Sequence, residues 1–115
     1  MTTFFVSRHP GAVAWAARQG LAVDRLVAHL DTGLIQAGDV VIGTLPVNLA
    51  AEVCRRGGRY LHLSLQLPLD MRGRELGAED MEHYGARLDA YGVEKAPAVG
   101  PAPAGQSYLD KPLAD

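Results

Sequence analysis

Cysteine is almost missing from this chain: Cys54 is the only one in 115 residues. A single thiol forms no internal disulfide and no cysteine-based metal site. It fits a reducing cytosol, so a cytoplasmic protein is expected. Long apolar runs are missing as well. No stretch is long enough to span a bilayer, and no basic segment followed by a long apolar one marks a signal peptide. No membrane partner is therefore expected. There is no excess of basic charge either. Eleven Lys and Arg against 13 Asp and Glu leave a formal net charge of −2. That excludes a broad cationic surface for duplex DNA, but not a small anion held in one local pocket. No histidines and carboxylates stand at zinc spacing, so neither a metal nor another cofactor is expected. What remains is ordinary for one small globular domain: 48% hydrophobic and 21% charged residues.

The pattern along the chain alternates strands with helices. Residues 3–7 read as a buried strand. From Pro10 to Gln19 an Ala-rich segment reads as a helix, with Pro at its start and Gly20 after its end. "VDRLVAHL" (23–30) is a second strand candidate and "DTGLIQAG" (31–38) a turn-rich connection. "DVVIG" (39–43) is β-branched and bounded by turn residues, a third strand. Pro46 opens a second helix, which Gly57-Gly58 closes. "RYLHLSL" (59–65) reads as a fourth strand, and a Leu-rich, Arg-bearing segment follows it. The spacing of Met81, Tyr84, Leu88 and Tyr91 predicts a last helix over 78–91. Such alternation implies βαβ units and a mostly parallel α/β sheet of four or five strands. The expected domain is 1–93. From 94 to 115 the composition turns to Pro, Ala and Gly and reads as a flexible tail.

Chemistry concentrates where strands end. Phe4-Phe5-Val6 runs into Ser7-Arg8-His9 before Pro10-Gly11. A plain turn needs only Gly, Asn or Asp. Thirty-six residues later the design recurs: Val40-Val41-Ile42, then Gly43-Thr44-Leu45, then Pro46. In a parallel sheet both turns lie at the carboxyl edge, where ligands bind beside helix N-termini. Arg8 offers a planar fork for phosphate oxygens. An imidazole such as that of His9 suits proton transfer. Ser7 can donate a hydrogen bond or act as a nucleophile. Gly43, Thr44, Leu45, Pro46 and Asn48 would line the opposite wall. The plainer alternatives are a capping role for Ser7, Thr44 and Asn48, and a solvated turn for Arg8 and His9.

Two further stretches stand out. In "LHLSLQLPL" (61–69) leucines alternate with His62, Ser64 and Gln66. Such a strand has one polar face, so it is an edge, or a partner or ligand covers that face. His62 reads as structural, because nothing near it in sequence completes a site. In "MRGRE" (71–75), Arg72 and Arg74 flank Gly73 on a loop. They are either solvated or poised over an anionic ligand. His29 and His83 read as ordinary members of their elements.

Taken together, "FFVSRHPGAVAWA", "HLD", "GDVVIGTLPVNLAAEVC", "RYLHLSLQLP" and "RGREL" resemble a small CRISPR-associated family found beside type III systems, in the CARF-like ring nuclease group (the Csx sixteen family). The resemblance covers residues 3 to about 92. It implies a CARF-like, Rossmann-type fold, a homodimer, and cleavage of a cyclic oligoadenylate messenger, with cyclic tetra-adenylate the expected ring. The family supplies the substrate class. The roles come from the pocket reading: Ser7, Arg8 and His9 as catalytic candidates, and residues 43–46, Asn48, Arg72 and Arg74 as ligand-binding candidates. The expected chemistry is metal-independent, with the ligand's own 2′-hydroxyl as nucleophile. A non-catalytic sensor or sponge would use the same pocket. A histidine phosphatase begins similarly, but Pro10 stands where its glycine belongs, and the chain is short for that fold. A pure interaction module, with the Leu-alternating strand as interface, is the third alternative.

Overall fold

A computed structural model describes residues 1–97. From residue 98 on, the tail assigned to 94–115 lies outside the described residues. The strands are β1 (Thr3–Val6), β2 (Arg25–Val27), β3 (Val40–Gly43), β4 (Arg59–Ser64) and β5 (Arg87–Tyr91), and the helices α1 (Pro10–Arg18), α2 (Val47–Arg55) and α3 (Ala78–His83). They build a five-stranded sheet in the order β2-β1-β3-β4-β5. The first four strands are parallel and β5 runs antiparallel to β4. No helix among the described residues is long and apolar enough to cross a membrane.

The sheet is covered on both faces because its central strands are apolar on both sides. Phe5 and Ile42 face one way, where they pack with Ala12, Trp15 and Ala16 of α1 and with Ala78 and Met81. Phe4 and Val41 face the other way, against Ala50 and Val53 of α2, Ile35 and Tyr60. The polar–apolar alternation of β4 has the same cause. Leu61 and Leu63 join the α1 core, while Tyr60 joins the α2 core. Side chains two apart on a strand share a face, so His62 and Ser64 lie on the α2 side with Tyr60. α1 and α2 thus leave β1 and β3 toward opposite faces, and the strand order reverses between those two strands.

One close approach fixes α1. A Cβ on Gly11 would lie 1.7 Å from the Leu76 carbonyl oxygen, so the start of α1 packs against the 75–77 loop only because residue 11 has no side chain. A second holds β1 to β3: a Cβ on Gly43 would lie 2.9 Å from the Val6 carbonyl oxygen.

The predicted helix over 78–91 is corrected. α3 ends at His83, Gly85 turns with φ 72°, and residues 87–91 form β5. The helical spacing of Met81, Tyr84, Leu88 and Tyr91 is coincidental across that break. Within β5 the period is two: Leu88 packs into the α1 core, and Tyr91 pairs in register with Tyr60. Because β5 occupies the edge, β4 is an interior strand rather than an edge. The second strand is also shorter than expected, three residues instead of eight.

Candidate functional site

A cleft of about 750 Å³ opens at the carboxyl edge of the parallel strands. Open α/β sheets bind ligands at this edge, where the strand order reverses. The cleft is walled by the β1–α1 turn (residues 6–9), the segment after β2 (28–30), the β3–α2 turn (43–46) and the end of β4 (62–65). The two turns related by the 36-residue echo therefore meet in one cavity. Ser7, Arg8, His9, Gly43, Thr44, Leu45 and Pro46 all line it.

Each turn is held by its own backbone geometry. The Ser7 N–H donates to the Val27 carbonyl, continuing the β1–β2 ladder by one bond. The Ser7 hydroxyl accepts the His9 N–H at 3.1 Å, a local turn that orients the chain into α1. His9 is the N-cap residue of α1, yet its side chain makes no capping bond, and Pro10 follows at the first helical position. Arg8 and His9 are both exposed at the rim. In the second turn the Thr44 hydroxyl donates to the Leu63 carbonyl at 2.9 Å, tying the turn to β4. Pro46 caps α2, again without a side-chain bond. Neither helix start is satisfied by a side chain, so the positive ends of both stay available to an anion.

The remaining candidates are placed elsewhere. Asn48 lines a separate depression along α2, with Val47, Ala51 and the segment 93–95. Arg72 and Arg74 are exposed on the loop between β4 and α3 and do not line the cleft. That loop ends at Glu75 and Leu76, which abut Pro10 and Gly11. Among the described residues no three His, Cys, Asp or Glu side chains form a cluster suited to a metal ion.

Two histidines that read from sequence as structural or ordinary reach the cleft. His29 lines it from the segment that follows β2. His62 lines it from β4, in register with Gly43 of β3. The His62 Nδ1 is 2.7 Å from the Tyr60 hydroxyl oxygen. That hydroxyl also accepts the Leu45 N–H at 2.9 Å and lies 3.2 Å from the Gly43 carbonyl oxygen. The His62 ring meets Tyr60 and Tyr91 edge-on, at 5.7 Å in each case. Burial pushes the Tyr60 phenol above its ordinary range, so it stays a neutral hydroxyl. The signal was present in the sequence: Tyr60 and His62 are two apart on a strand and so share a face.

Nearly all of this architecture falls within one family match. Residues 4–94 match the family model described as "Putative CRISPR-associated protein (Cas_VVA1548)". No curated protein and no solved structure gives a significant match.

Proposed function

The chain belongs to this CRISPR-associated family, and on that premise we propose that it binds a cyclic oligoadenylate and cuts it, ending the signal that type III systems raise. Cyclic tetra-adenylate is the expected ring. The fold reading that goes with it is CARF-like and Rossmann-type, which the strand order β2-β1-β3-β4-β5 suits. The observation that carries the proposal is the convergence of two uncapped strand-to-helix turns on one cleft, with Arg8 and His9 at its rim. The further support is the motif resemblance stated above.

The reaction asks for three things. The ligand's 2′-hydroxyl must be aligned with the adjacent phosphorus. The charge that builds on the phosphoryl oxygens must be stabilised. A proton must leave the 2′-oxygen and another must reach the departing 5′-oxygen. The O2′–P bond forms as the P–O5′ bond breaks, leaving a 2′,3′-cyclic phosphate and a 5′-hydroxyl. Arg8 suits the charge and His9 suits protonation of the 5′-oxygen. The helix starts of α1 and α2 add positive dipole character. A ring of two-fold symmetry matches a homodimer that presents two copies of the cleft.

Removal of His9 tests the reading. His9→Ala lowers single-turnover cleavage on the order of a hundred-fold or more, while ligand binding and melting temperature stay near wild type. Cleavage at the wild-type rate removes the imidazole from the chemistry.

A further inference from the structure

We propose that His62 is the general base of this cleft and that Tyr60 is its positioning residue, holding the imidazole in the tautomer with Nε2 unprotonated. The proposal rests on the nuclease reading above and deepens it, since that reading leaves the proton on the 2′-oxygen without an acceptor.

The protons around one oxygen decide the tautomer. The Tyr60 hydroxyl has three polar neighbours: the Leu45 N–H, the Gly43 carbonyl and His62 Nδ1. Leu45 N–H can only donate and the Gly43 carbonyl can only accept. The hydroxyl carries a single hydrogen. If it donates to Nδ1, the Gly43 contact loses its proton. If it donates to Gly43, all three contacts are hydrogen bonds, provided that Nδ1 carries the proton and donates to the phenol oxygen. In a neutral imidazole the second nitrogen, Nε2, is then the acceptor.

The surroundings make this a held group. Tyr60 is 3% exposed, so its oxygen is fixed by packing as well as by the Leu45 bond. Tyr60 and Tyr91 both meet the His62 ring edge-on. By contrast, His9 has no side-chain bond at its cap position. The charged and titratable groups near His62 come from β5 and from the cleft walls. Asp89 of β5 stands opposite it in register and pairs with Arg87, while Arg8, His9 and His29 line the same cleft. In the proposed step the 2′-oxygen gives its proton to His62 Nε2 as the O2′–P bond forms. A proton from His9 goes to the 5′-oxygen as the P–O5′ bond breaks, so charge and atoms balance.

His62→Asn separates the two nitrogens. The Asn amide can replace Nδ1–H toward Tyr60 but offers nothing at Nε2. The variant is expected to keep the wild-type melting temperature and ligand affinity and to cleave cyclic tetra-adenylate on the order of a hundred-fold more slowly. The acidic limb of the pH–rate profile should vanish with it. Tyr60→Phe, which leaves Nδ1–H without its acceptor, should slow cleavage while ligand affinity stays near wild type. A long-range ¹⁵N–¹H correlation spectrum of the wild-type chain should show Nδ1 of His62 protonated. Wild-type cleavage by His62→Asn, or a proton found on Nε2 instead, overturns the role of His62 and leaves the nuclease reading standing. A wild-type chain that binds the ring without cutting it overturns the nuclease reading, and the role of His62 with it.

Discussion

The two edges of the parallel sheet are built on opposite plans. At the amino edge carboxylates satisfy backbone N–H groups. Asp39, 5% exposed, accepts the Thr2 N–H through Oδ1 and the Gln36 N–H through Oδ2, both at 2.9 Å. Asp24 accepts the Thr3 N–H at 2.8 Å. These bonds close the starts of β1 and β3. At the carboxyl edge the Ser7 and Thr44 hydroxyls are tied to the backbone, but Arg8 and His9 stand exposed, and neither helix start is capped by a side chain. Arg8 takes no part in the ion pairs found among the described residues. One edge is finished as structure, and the other leaves Arg8 and His9 exposed beside a cleft.

That contrast can be broken in order of expected effect. Arg8→Ala should act most strongly, and on function alone. Losing a preorganised charge donor costs on the order of a hundred-fold in rate, and here ligand affinity should fall too, because the guanidinium also holds the ground-state phosphate. Its urea midpoint should stay near wild type, since an exposed side chain without partners contributes within about 0.5 kcal/mol. A large loss of stability would mean that Arg8 belongs to the fold.

Gly11→Ala should come next and act on both properties. The new methyl would meet the Leu76 carbonyl oxygen at 1.7 Å, so α1 or the 75–77 loop must move. Overpacking of this kind costs about 1–3 kcal/mol. Urea denaturation reads the loss, and cleavage should fall with it because α1 carries the wall of the cleft. An unchanged midpoint would show that the loop yields freely.

Asp39→Ala should have the smaller effect, on stability alone. Hydrogen bonds from the Gln36 and Thr2 backbone N–H groups hold the Asp39 carboxyl below its ordinary range. The folded state therefore binds this proton less readily than the unfolded chain does. Its stabilising contribution is complete above the ordinary carboxylate pKa and is lost as pH falls through the lowered one. The variant should thus be less stable than wild type at neutral pH, and the gap should close in acid. A gap that persists unchanged at low pH would assign the effect to packing.

Much of this arrangement is legible from residues alone, for reasons that also show the limits. β1 and β3 announce themselves because strands buried on both faces read as continuous apolar runs. The same logic places their turns at one edge, so Arg8 and His9 could be singled out from sequence. β5 is hidden because Met81, Tyr84, Leu88 and Tyr91 happen to fit a helix across Gly85. What betrays it is the alternation inside 87–91, visible only once Gly85 is taken as a stop. His62 is missed for a different reason. Two of the three groups around the Tyr60 hydroxyl that orients it, Gly43 and Leu45, lie on a neighbouring strand and turn, and only the sheet register brings them together. Asn48 shows the converse: it is near the cleft in sequence, but α2 turns it toward Val93 and Lys95.

The most direct measurement is product analysis of the wild-type chain incubated with cyclic tetra-adenylate, with and without EDTA, by chromatography and mass spectrometry. Linear fragments ending in a 2′,3′-cyclic phosphate and a 5′-hydroxyl are expected, formed at the same rate in both arms. An intact ring after stoichiometric incubation would contradict cleavage, and products that form only without EDTA would contradict its metal independence.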